Sequence, residues 1–241
     1  MADQLAISLL VVGALVVRTA LGFGFSLVFI PAGSVLLGFS TAFLVSIVLE
    51  LVVSTLMAAQ LRHHLQLLNA FTLKFWGFLG VVVGLMLRTV AREETVVGVS
   101  MAAIVVACLA LLAADEFTVK RSRGKLMAAG ASSGFLNSWT SLSGPPVVFY
   151  YLLTEEDQRG VRGALAGYFW ILYSVTFLLL LVQGDYADFD AWPLLAGPLV
   201  SIAVSFPWLS RSRRLRELDI RRPALILLAI TATMVAVGQF L

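Results

Sequence analysis

Charge is what this chain has least of. Asp, Glu, Lys and Arg make up 13% of its 241 residues, against roughly 25% in an ordinary soluble domain. That shortage excludes a water-facing surface of normal composition. With 60% hydrophobic residues and a mean hydropathy of +0.95, the chain reads instead as an all-α polytopic membrane protein. A single cysteine, Cys108, excludes an internal disulfide and lies in an apolar run as a packing residue. The only histidines, His63 and His64, stand side by side at a span end with no further ligands near them. No metal site is expected from them, and no cofactor. Long loops are missing too, which leaves no room for a soluble domain. Met1-Ala2-Asp3-Gln4 lacks a basic start, so no cleaved signal peptide is expected. The net charge of +3 comes from loop residues that report topology. Nucleic acid is therefore not an expected partner, whereas membrane lipid is.

What is present, inside two of the apolar runs, is an interruption. The stretch from Gly130 to Pro146 holds Ser132, Ser133, Asn137, Ser138, Thr140, Ser141 and Ser143, with three glycines and Pro145-Pro146, but no charge. An uninterrupted helix would not choose that composition. The stretch from Arg18 to Pro31 breaks an earlier run with Gly22, Gly24, Ser26 and a proline. Irregular backbone at membrane depth is tolerated only where protein buries it or where it lines a cavity. Two broken segments, one in each half of a chain, point to a transporter site.

Six runs are regular spans: 41–61, 71–88, 95–114, 163–183, 191–209 and 223–241. Each has about the 20 residues needed to cross hydrocarbon. The interrupted runs, 5–37 and 126–153, either cross once or enter and return to the same side. With Arg18 set aside, 16 of the 17 basic residues lie in loops or at span ends. If both interrupted runs cross, six fall on one side and ten on the other. If both are hairpins, only Arg88 and Arg92 lie outside, against 14 inside. The excess of cytoplasmic Lys and Arg in membrane proteins prefers the hairpins. The loop 184–190, with three aspartates and no basic residue, then falls outside.

Hairpins give the two halves opposite orientation. The predicted architecture is two inverted repeats, each a broken or hairpin helical segment followed by three transmembrane helices. The first repeat is 1–114, the cytoplasmic linker 115–125 and the second repeat 126–241. Arms of about 13 to 15 helical residues reach roughly 20 Å each, so the two tips would meet near the midplane. Laying Gly24 on Gly144 pairs Gly22 with Leu142 and Arg18 with Ser138. The symmetry rests on pattern and charge rather than on matched letters.

The candidate substrate-binding residues follow. Arg18 is the one basic residue deep inside an apolar run, and a buried cation needs a compensating partner. It is either a two-pronged anchor for an oxyanion or the structural partner of Glu50, the one acidic residue inside a span. Glu50 is also a candidate proton-coupling site. Asn137, Ser138, Thr140, Ser141 and Ser143 either supply neutral donors to an anion or satisfy the broken backbone. Gly22, Gly24 and Gly144 allow the backbone to turn and approach closely. Helix starts after the breaks, near Ser26 and Pro146, add positive dipole ends. An enzyme is not expected: Gly130-Ala-Ser-Ser-Gly134 is faintly like an intramembrane serine motif, but no base stands near enough to activate it. An anion channel is the rival, since pores use half-helix dipoles as well.

The segments Val17-Arg-Thr-Ala-Leu-Gly-Phe-Gly-Phe-Ser-Leu-Val-Phe-Ile-Pro31 and Ser133-Gly-Phe-Leu, continuing to Leu142-Ser-Gly-Pro-Pro-Val-Val-Phe-Tyr-Tyr-Leu152, resemble the two signatures of the TauE/SafE family of sulfite and organosulfonate exporters. The likeness extends over the whole chain. The resemblance implies a secondary transporter of small sulfur-containing anions, sulfite or small organosulfonates, in a bacterial inner (cytoplasmic) membrane. It departs from the family's common triple-glycine form, having Gly-Phe-Gly and Ser-Gly-Pro, which leaves small carboxylates open as substrates. Alternating access at a midplane site between the two tips is the expected mechanism, and a homodimer is a candidate assembly.

Overall fold

The computed structural model describes residues 2–61, 71–92, 122–153, 158–187 and 192–212, with positions 95, 96, 98, 99, 102 and 189 between them. All regular structure among them is helical. In order it comprises α1 (Ala2–Leu21), α2 (Phe25–Leu37), α3 (Phe39–Gln60), α4 (Phe71–Arg88), α5 (Arg123–Thr140), α6 (Gly144–Leu153), α7 (Gln158–Gln183), a short 3-10 turn (Trp192–Leu195) and α8 (Ala196–Arg211). Five of these stretches are long and apolar enough to cross a membrane: Gln4–Leu21, Phe39–Gln60, Phe71–Arg88, Val161–Gln183 and Pro193–Arg211. Four match predicted spans. The predicted span 223–241, most of 95–114, Cys108, His63 and His64 lie outside the described residues, as does most of the linker 115–125.

Both interrupted runs fold as two helices separated by a three-residue break, 22–24 and 141–143. The arms are unequal, contrary to the expectation of 13 to 15 residues each. The first arms have 20 and 18 residues, the second arms 13 and 10. The apolar run before Gly22 and the small-residue run before Ser141 both continue helical up to the turn, and both first arms begin ahead of the apolar run, at Ala2 and Arg123. A single residue, Gly38, joins α2 to α3, with its N–H donating to the Ser34 carbonyl.

The chain divides into two compact units, 1–53 with 177–241, and 54–176. In the first, α1 packs on α2 and on α8. Tyr186, in the acidic loop after α7, donates its hydroxyl to the Leu44 carbonyl near the start of α3 at 3.0 Å. That contact puts the end of α7 and the start of α3 at the same level. In the second unit α4 lies against α5 along most of its length. The contact is backbone on backbone: a Cβ at Gly80 would strike the Ala131 carbonyl, and one at Gly134 the Gly77 carbonyl. Small residues at such an interface let dispersion and weak polar contacts hold helices that apolar surface alone would not hold in lipid.

The partners also give directions. Leu73 lies by Gly130, Gly77 by Gly134 and Gly84 by Ser138, so α4 and α5 run parallel. Tyr168 reaches the Gly130 carbonyl and Thr176 reaches Asn137, so α7 runs parallel to α5 as well. The short α6 between two parallel helices must therefore return, which makes the second interrupted run a hairpin.

Candidate functional site

Each break is a small polar turn among buried apolar side chains, the first in one compact unit and the second in the other. The first begins where α1 ends. Gly22 has φ 82° and Gly24 φ 94°, a left-handed backbone that glycine adopts without steric cost. The Gly22 N–H donates to the Arg18 carbonyl at 2.8 Å, and the Arg18 guanidinium returns a bond from Nη1 to the Gly22 carbonyl at 3.0 Å. Arg18 and Glu50 are each 1% exposed. Arg18 Nε stands 3.6 Å from Glu50 Oε2. Ser26, in the first turn of α2, donates to Glu50 Oε1 at 2.7 Å. Phe23 and Phe25, in and just after the turn, are fully buried as well. Neither charge would be tolerable here alone, and together they make a neutral, hydrogen-bonded cluster. The start of α2 opens onto this cluster, and no side chain caps it, so its dipole end adds positive potential.

The second break makes the same turn from other residues. Ser141 has φ 60° and its N–H donates to the Asn137 carbonyl at 2.9 Å, as Gly22 does to Arg18. This turn sets the structural correspondence: Gly22 matches Ser141 and Arg18 matches Asn137. The superposition of Gly24 on Gly144 is thus one residue out of step. Asn137 donates from Nδ2 to Thr176 Oγ1 at 2.7 Å, while its buried Oδ1 has no hydrogen-bond partner among the described residues. Tyr173 donates to the Ser141 carbonyl at 3.0 Å and shares a 2.9 Å bond with Ser143 Oγ. Ser133 donates to the Ser143 carbonyl at 2.6 Å. Ser138 and Thr140 donate to the Phe135 and Leu136 carbonyls, both at 2.8 Å.

Thus Arg18, Gly22, Gly24, Ser26 and Glu50 are brought together at one break, and Asn137, Ser138, Thr140, Ser141, Ser143 and Gly144 at the other. Of the hydroxyls in the second group, Ser138 and Thr140 donate to backbone carbonyls and Ser143 bonds the Tyr173 hydroxyl. The dipole end expected near Pro146 is weakened. The helix α6 starts at Gly144, and the prolines that follow remove two of its first N–H donors. Sequence reasoning missed Tyr173, Thr176 and Arg88, and named Ser133 in the polar stretch without placing it in the site. Tyr173 and Thr176 were visible as two polar groups three apart within a span. Arg88 was assigned to topology alone, yet its Nη1 donates to the Ser138 carbonyl at 3.3 Å.

Together these features define a multi-pass helical membrane protein whose apolar interior encloses two polar helix breaks. The chain belongs to the TauE/SafE sulfite exporter family, whose model (Sulfite exporter TauE/SafE) matches residues 5–235. That family is one of membrane transporters of sulfur anions. No curated protein and no solved structure matches the chain.

Proposed function

We propose that this protein exports sulfite or short organosulfonates across the bacterial cytoplasmic membrane by alternating access, without a catalytic step. The observation that carries the reading is Arg18, a fully buried guanidinium at a helix break, beside an uncapped helix start. A planar fork of N–H donors matches two oxygens of a sulfur oxyanion. Glu50 gives the coupling. Anion and carboxylate compete for one guanidinium, and a proton taken up by Glu50 keeps the cluster near neutral while the anion is bound. Ser26 then holds the protonated carboxyl in place of the carboxylate. The halves 1–114 and 126–241 are proposed to be an inverted repeat with both termini outside. The return of α6 and the Tyr186–Leu44 contact support that topology.

Flux in proteoliposomes tests it. Sulfite or taurine flux should saturate, as a channel's would not. Arg18→Lys keeps the charge but loses the fork, and is expected to cut flux at least about tenfold while the protein still folds. Normal flux from Arg18→Lys and Arg18→Gln would remove Arg18 as the anchor.

A further inference from the structure

Arg88 is the last residue of α4. The glycine-mediated packing of α4 on α5 fixes their register, with Gly84 against Ser138. One helical turn further on, Arg88 therefore arrives at the second break. Its partner there, the Ser138 carbonyl, belongs to the last turn of α5, where the helix's own N–H donors have run out and the dipole is negative. Arg18 likewise bonds a backbone carbonyl at the first break, that of Gly22, although Gly22 corresponds to Ser141 rather than to Ser138. Each unit thus holds one guanidinium against the backbone of its own break. At 3.3 Å the Arg88 bond is longer than a good N–H···O bond, and a neutral carbonyl is a weaker acceptor than an anion.

We propose that Arg88 is a second anion-contacting residue, which exchanges the Ser138 carbonyl for a sulfur oxyanion arriving at the second break. This rests on the transport reading above. Ser133, Ser138, Thr140 and Tyr173 donate to carbonyls at that break, and two N–H donors are lost to proline, so these groups alone make a poor anion site. Arg88 supplies the positive charge they lack. It is half-buried at the C-terminal end of α4, where a solvated anion can reach it. On the proposed topology that end faces outside.

The test is sulfite flux against concentration for the reconstituted full chain, alongside its melting temperature. Arg88→Gln is expected to raise KM about tenfold with the maximal rate within about twofold. Arg88→Lys should fall between Arg88→Gln and the parent protein. A merely structural carbonyl cap would lower the melting temperature and leave KM in place, and that result overturns the proposal. If Arg88→Gln does not fold, Arg88→Cys modified with an aminoethyl thiol reagent makes the same comparison. Restoring the positive charge should lower KM, and no change overturns the proposal. An unsubstituted protein that transports, with KM unmoved in Arg88→Gln, removes Arg88 alone. An unsubstituted protein that moves neither sulfite nor sulfonate removes the transport reading and this proposal with it.

Discussion

The two breaks share a backbone turn and differ in what fills it. At the first, Gly22 and Gly24 make the left-handed turn without strain, and the polar groups around it are an ion pair and a serine. At the second, Ser141 takes the same conformation at a cost of roughly 1–2 kcal/mol, and hydroxyls surround it. Where glycine makes the turn, the neighbouring side chains are left for charge. Where serine makes it, Tyr173 and Ser133 must hold the carbonyls of the turn. On the proposed reading each break meets the anion through a guanidinium, and at the second the hydroxyls hold the shape of the turn.

The largest expected effect breaks the charged side of that comparison. Arg18→Ala or Glu50→Ala strands one buried charge and should destabilise the protein by about 3–5 kcal/mol, read as a fall in melting temperature in detergent. Arg18→Met with Glu50→Leu removes both charges at similar volume, so it should fold but not transport. A double variant that transports would end the role of the first break in binding. Next in size is Tyr173→Phe, which deprives the Ser141 carbonyl and Ser143 of their shared hydroxyl. A loss of about 1–3 kcal/mol with an unchanged KM fits a scaffolding break. A raised KM with unchanged stability would instead put these hydroxyls on the substrate.

Much of this was legible in the sequence, for physical reasons. Four spans show as apolar runs of membrane length, and the breaks show because glycine, proline and hydroxyls cannot hide in such runs. The pairing of Arg18 with Glu50 was legible as one alternative because Arg18 is the one basic residue deep inside an apolar run and Glu50 the one acidic residue inside a span. The breaks' positions along their runs were not, since helix α5 tolerates Ser132, Ser133, Gly134 and Asn137 when Gly77, Gly80 and Gly84 of α4 pack against it. Those glycines, at helical spacings, were the unread signal for the α4–α5 contact and so for Arg88. The equivalence of Gly22 with Ser141 was also hidden. Letters align glycine with glycine, whereas the backbone aligns one φ with another.

The smallest effect tests that equivalence. Gly22→Ala puts a Cβ on a residue at φ 82° and should cost about 1–2 kcal/mol. Ser141→Gly is the converse. It removes the strain at φ 60°, but the added freedom of the unfolded chain returns roughly 0.4–1 kcal/mol of that. The expected outcome is a melting temperature equal to or slightly above that of the unsubstituted protein, with KM unchanged. The two substitutions should therefore shift stability in opposite directions, or one should shift it and the other not. If Ser141→Gly destabilises as much as Gly22→Ala, the serine hydroxyl matters more than the turn, and the two breaks are alike in outline only. If both are neutral, neither turn is under conformational constraint and the correspondence of Gly22 with Ser141 has no energetic content.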